Sequence, residues 1–166
     1  MSVTDEFLSA NRRYAETFDK GALALPPRRK VAVVACMDAR LDPARALGLE
    51  EGDAHVIRNA GGRISDALRS LAISQTLLGT EEVVIIHHTD CGMLTFSDDS
   101  IRSLLRKQRG AAADSIAFLP FKDLDASVRD DLAVYRASPL VRKDITVRGF
   151  VYDVKTGRLR EVGESS

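Results

Sequence analysis

The chain has only two cysteines, Cys36 and Cys91, and each follows an apolar run. Val31, Ala32, Val33, Val34 and Ala35 lead into Cys36. Val83, Val84, Ile85 and Ile86 lead into His87 and His88, and Cys91 comes three residues after His88. Asp38 stands two residues beyond Cys36, and Arg40 two beyond Asp38. Thiolate, imidazole and carboxylate are donors that zinc accepts in tetrahedral geometry, and a catalytic zinc keeps one position open. Two cysteines and one histidine leave the fourth position for water or for Asp38. A structural site of three or four cysteines is excluded by count.

On an extended segment, side chains two residues apart share a side, so Cys36, Asp38 and Arg40 are expected to face one crevice. Asp38 then has two available partners. It can bind the metal and close the site, or form a bidentate salt bridge with Arg40 that leaves the metal open to water. Neighbouring side chains on a strand face opposite ways, so His87 turns away from the crevice that His88 faces and is assigned to packing or a hydrogen bond. His55, at the start of its strand, belongs at the far end of the sheet and is read as structural. Gly61 and Gly62 precede a helix but lack the G-x-G-x-x-G pattern and a P-loop lysine, which makes them weak evidence for a nucleotide.

These residues are far apart in sequence, so a scaffold must bring them together. Apolar runs predict strands at residues 31–35, 55–59, 82–87 and 145–152, with a short return at 159–162. Helical spacing predicts helices over 3–18, around 43–47 with Gly48 as the stop, from a Ser65 cap through Leu78 to Gly79, from 97 to about 110, and over 123–137. The apolar positions of the 65–78 helix cover more than one face, so it should be largely buried. Strands alternating with helices imply an α/β fold, a parallel sheet with helices on both faces. In such sheets sites form beyond the carboxyl ends of the strands, where Cys36, Asn59 and His88 all fall.

The formal net charge is zero, which leaves no basic excess for nucleic acid. No apolar run approaches the ~20 residues of a membrane span, and the first residues lack the pattern of a signal peptide. A cytoplasmic location is expected, where a disulfide is disfavoured and cysteines serve metals or catalysis. One domain is expected over 1–166, with an N-terminal arm (1–25) and a zinc-binding α/β core (30–166). Val3, Phe7, Tyr14 and Phe18 form a stripe on the arm, and Pro26 and Pro27 end it. That stripe must pack back on the domain or on a second subunit.

Cys36-x-Asp38-x-Arg40 paired with His88-x-x-Cys91 resembles the β-class carbonic anhydrases, and the likeness covers nearly the whole chain. It takes in residues 35–41, 56–61, 88–93 and the late Arg148-Gly149-Phe150, and its wording is similar to the short prokaryotic subgroup. The resemblance implies zinc held by Cys36, His88 and Cys91. It makes Asp38 and Arg40 a catalytic dyad in which Asp38 accepts a hydrogen bond from zinc-bound hydroxide or becomes the fourth ligand. It places Gly61 in the loop beside the substrate pocket. It also implies an added antiparallel strand and a homodimer or higher homo-oligomer. The expected activity is reversible hydration of carbon dioxide to bicarbonate and a proton. The alternatives are hydrolysis of carbonyl sulfide or carbon disulfide at the same zinc, and a non-catalytic zinc-stabilised interaction domain.

Overall fold

The computed structural model describes residues 2–163; Met1 and residues 164–166, the ends of the expected 1–166 domain, lie outside them. Helix α1 (Val3–Glu16) opens on a capping box in which Ser2 and Asp5 satisfy each other's backbone donors. Strand β1 (Val31–Cys36) follows, then α2 (Pro43–Leu47), β2 (Ala54–Asn59) and a 3-10 turn at Ala60–Gly62. Helix α3 (Leu68–Leu78) and β3 (Glu82–His88) come next, then a second 3-10 turn at Gly92–Leu94 and α4 (Asp98–Arg109). Helix α5 (Leu124–Ala137), β4 (Thr146–Tyr152) and β5 (Leu159–Val162) complete the chain.

The sheet order is β2-β1-β3-β4-β5. The first four strands are parallel, and β5 returns antiparallel on β4. Strand β1 is central and apolar on both faces, as parallel strands between layers are. One face, including Ala32, Val34, Val83, Ile85 and Val151, packs under α3 and α5. The other carries Val33, Ala35 and Ile86 against Leu41, Leu47 and Leu49 around the short α2. Helix α5 comes so close to β4 at Gly149 that a Cβ there would overlap Val128. Cys36 pairs with Asn59 and Ala35 with Ile86, so β1, β2 and β3 run out at the same edge.

The structure corrects two expectations about helices. Helix α3 begins at Leu68, with Ala67 at its N-cap and no side-chain cap. Residue 65 lies in a preceding turn closed by Ala67 N–H to Ile64 O at 2.9 Å. Nor is α3 largely buried: Leu71, Ser74 and Gln75 are, but Ile73 and Leu77 are 39% and 74% exposed. Helix α1 buries no residue. Its region reaches the domain through polar contacts, Tyr14 Oη to Glu51 at 2.8 Å and an ion pair between Lys20 and Glu51. Among the described residues no helix is long and apolar enough to cross a membrane.

Candidate metal centre

The ends of β1 and β3 deliver three soft donors to one point. Cys36, His88 and Cys91 are buried, and their ligand atoms all lie within 4.8 Å of one another. The two sulfurs are 4.0 Å apart. His88 Nδ1 lies 2.8 Å from the carbonyl oxygen of Thr89. A carbonyl only accepts, so Nδ1 carries the proton and Nε2 keeps its lone pair. Nε2 is buried without a hydrogen-bond partner, an arrangement that is costly unless something binds there. Orienting a histidine through its other nitrogen is how metal-ligating imidazoles are held.

The two sulfurs shift each other's titration in opposite directions. The contact with Cys91 is the main cause that lowers the Cys36 thiol to about 4, and the amide of Gly61 helps. The same contact pushes Cys91 up. Burial pulls the His88 imidazolium down, but Cys36, the Thr89 carbonyl and Asp38 together outweigh it, and the net shift is upward. Two sulfurs and an unpartnered imidazole nitrogen converging in a buried pocket are a donor set that binds a metal cation with loss of the thiol protons. The residues present fit a metal ion.

At the rim Asp38 faces Arg40. Arg40 Nη2 lies 2.8 Å from Asp38 Oδ2 and Nε lies 3.0 Å from Oδ1, and the Arg40 amide adds a third bond at 2.9 Å. Of the two partners open to Asp38, the structure has the salt bridge. Arg40 holds the Asp38 carboxyl well below the usual carboxylate range. Asp38 Oδ2 remains 3.7 Å from His88 Nε2. Arg40 also reaches Asp90, with Nη1 to Oδ2 at 2.6 Å and Nη2 to the backbone carbonyl at 2.9 Å.

Beside the cluster lies a cleft of about 420 Å³ that Cys36, Asp38, Gly61 and Cys91 line, with Met93 and Phe96 among its apolar walls. Gly61 adopts φ +83°, and its N–H donates to Cys36 Sγ at 3.3 Å. Gly62 is closer still: a Cβ there would stand 2.8 Å from Cys36 N and 2.9 Å from Ile86 O. His87 turns away, held by Ser127 Oγ at 2.7 Å and Asp131 Oδ2 at 2.9 Å. His55 bonds Ser74 Oγ at 2.8 Å near the opposite end of the sheet.

Sequence reasoning missed two residues that shape the centre. Arg58 donates to the carbonyls of Cys36, Asp38 and Leu41 and so ties down the turn that carries Asp38. Asp131 is fully buried on α5. A signal for Asp131 was available: it falls on the stripe of Leu124, Val128, Leu132 and Tyr135, where an acid needs partners. Nothing in the sequence around Arg58 announces its role.

Residues 31–159 match the carbonic anhydrase family. The chain is 50% identical over 165 residues to beta-carbonic anhydrase 1 of Mycobacterium tuberculosis, covering 98% of this chain and 99% of that protein. A carbon disulfide hydrolase of Acidithiobacillus thiooxidans is 37% identical over 159 residues, 83% of this chain and 79% of that one. Among solved structures, carbonic anhydrase from Streptococcus mutans superposes with a TM-score of 0.93 at 48% identity, over 98% of this chain and 99% of that chain. With a mostly parallel sheet, a Cys-His-Cys cluster at its carboxyl edge and these relatives, the chain belongs to the β-class carbonic anhydrases.

Proposed function

We propose that the chain hydrates carbon dioxide reversibly to bicarbonate and a proton, using zinc held by Cys36, His88 and Cys91. The observation that carries this reading is the buried, unpartnered Nε2 of His88 beside two sulfurs 4.0 Å apart. Zinc bound there supplies the Lewis acidity that makes water a nucleophile near neutral pH. The chain's own residues do the rest. Asp38, ionised by its bond to Arg40, accepts a hydrogen bond from the attacking water and so aims its lone pair. Arg40 keeps that carboxylate at the rim. The apolar walls at Met93 and Phe96 admit an uncharged linear gas and offer it no competing hydrogen bonds. The water oxygen bonds to carbon as one carbon–oxygen π bond opens and its electron pair moves onto that oxygen, and the proton lost from water leaves to buffer, giving bicarbonate.

A second reading keeps the site and changes the gas to carbon disulfide or carbonyl sulfide. The apolar walls of the cleft, Met93 and Phe96 among them, suit these uncharged molecules as well, and a carbon disulfide hydrolase stands among the relatives.

We also take the protein to be a homo-oligomer in the cytoplasm, a single domain (1–166) with an N-terminal arm at 1–25. The exposed apolar residues of α1 and α3, such as Phe7 at 67% and Leu77 at 74%, support a covering second copy. Two free cysteines suit a reducing compartment.

Zinc analysis with stopped-flow carbon dioxide hydration tests the main reading, on the wild type and on Cys91→Ser. One zinc per chain with rapid turnover is expected, and Cys91→Ser should lose both. Full zinc in Cys91→Ser would break the ligand assignment. Faster turnover of carbon disulfide than of carbon dioxide would favour the second reading.

A further inference from the structure

Helix α5 carries a carboxylate that meets no solvent. Asp131 is 0% exposed, and a buried carboxylate is stable only when paired and hydrogen-bonded. Its partners lie on the two segments that shape the metal centre. Oδ1 accepts the Ile64 N–H at 3.2 Å. Oδ2 accepts from His87 Nε2 at 2.9 Å and lies 3.3 Å from Arg63 Nε, whose charge balances it. The other nitrogen of His87 meets Ser127 Oγ, also on α5, and Phe121 stacks on the ring. Helix α5 therefore grips the end of β3 one residue before His88, and grips the chain immediately after the 60–62 turn.

That turn is locked from inside as well. Asn59 Oδ1 accepts the Arg63 N–H at 2.7 Å, and Asn59 Nδ2 donates to the Arg63 carbonyl at 2.9 Å. Within this loop Gly61 N–H is aimed at Cys36 Sγ. Asp131 thus reaches two parts of the cluster, the amide on one sulfur and the strand end that carries the imidazole, while touching no ligand atom.

We infer that Asp131 is a positioning residue for the metal centre: it keeps Gly61 N–H on Cys36 Sγ and holds the backbone that places His88. This rests on the reading of Cys36, His88 and Cys91 as the metal ligands. An N–H bond to a thiolate withdraws charge from the sulfur, and donors held in place need no reorganisation when the metal arrives. Loosening the grip changes both affinity and sulfur-to-metal charge donation.

The test is Asp131→Asn, which keeps the size and loses the charge. Three properties are measured: zinc affinity by chelator competition, the thiolate-to-cobalt absorption band of the cobalt-loaded protein, and kcat and KM. The expected result is a zinc affinity lower by about 10–100-fold, a shifted cobalt band, and reduced kcat with unchanged KM. Wild-type affinity and an unmoved band overturn the inference even if the melting temperature falls, because a purely structural acid would do only that. If Asp131→Asn does not fold, Asp131→Leu combined with Arg63→Met removes both buried charges together and is read the same way. A wild-type protein that binds neither zinc nor cobalt overturns the metal reading itself. A wild type that binds both, with a variant that matches it, overturns this inference alone.

Discussion

Arg58 clasps the backbone carbonyl of Cys36 with two donors, Nε at 3.0 Å and Nη2 at 2.9 Å. The same Nη2 reaches the carbonyls of Asp38 and Leu41 at 2.8 and 2.7 Å. A turn after a strand leaves carbonyls without ladder partners, and such groups must be satisfied somewhere. Here one guanidinium from the neighbouring strand satisfies three, and that fixes the direction in which Asp38 leaves the sheet.

Arg58→Met should therefore act on the site from a distance. It keeps the aliphatic stem and removes every donor. Stability should fall by about 1.5–3 kcal/mol, the range for hydrogen bonds to a charged group, and turnover should fall with it because Asp38 loses its fixed approach. Urea unfolding and carbon dioxide hydration on one sample check this. Normal turnover at reduced stability would show that the turn holds its shape without Arg58.

Gly62 sets a steric limit behind the centre. At φ +68° a side chain is strained by about 1–2 kcal/mol, and its Cβ would also press on Cys36 N and Ile86 O. Gly79 has a similar φ of +69° with open space around it. Gly79→Ala should cost only the strain, whereas Gly62→Ala should cost clearly more and weaken metal binding. Equal losses of stability in the two variants would refute the close-approach argument.

Asp53 gives a pH dependence with a definite sign. It is 2% exposed, accepts from the Glu50 amide at 3.1 Å and pairs with Arg28 at 2.5 Å. The Glu50 hydrogen bond first, then Arg28, lowers its pKa from 3.8. A depressed folded pKa stabilises the protein above the unfolded value of 3.8, and the contribution is lost as pH falls through the folded value. Asp53→Asn should thus melt below wild type at pH 7, and the gap should close as the pH drops below about 3.8. A gap that stays constant down to pH 3 would mean that the charge contributes nothing.

The N-terminal arm predicts an assembly effect. Val3, Phe7, Tyr14 and Phe18 are 48–67% exposed, a stripe that the described residues leave largely uncovered. Deleting residues 1–25 should shift the sedimentation profile toward smaller species. A truncated protein that assembles as tightly as the full chain would move the interface elsewhere, with the exposed face of α3 as the next candidate.

The convergence of Cys36, His88 and Cys91 was legible in the sequence because they are rare residue types at strand ends, and a parallel sheet places strand ends together. The Asp38–Arg40 pair was legible from a spacing of two. The start of α3 was not. Ser65 is a good cap by local preference, but Asn59, Gly61 and Gly62 bend the chain through residue 63, and the helix begins only after a further turn. Arg58 and Asp131 act across the sheet on backbone groups, and no local pattern encodes a partner 17 to 67 residues away. The excess apolar surface of α3 was visible in the sequence, but the inference that this chain buries it was wrong.

Arg40 offers the sharpest test of how the centre works. Its guanidinium holds Asp38 by two side-chain bonds and Asp90 by two more, yet its side chain is 46% exposed. An exposed ion pair contributes little to stability, so stability alone gives this geometry no purpose. Orientation does. Asp38 Oδ2 is already 3.7 Å from His88 Nε2, and Arg40→Ala would free it to turn onto the metal as a fourth protein donor. Zinc should then stay bound, or bind more tightly, while hydration of carbon dioxide falls by orders of magnitude. Arg40→Lys should recover only part of the rate, because an ammonium cannot form the two-pronged contact. Zinc content and turnover measured on the same Arg40→Ala sample decide the matter. Full metal with lost activity supports the gate, and full metal with full activity removes it. Lost metal would mean that Arg40 shapes the ligand site itself.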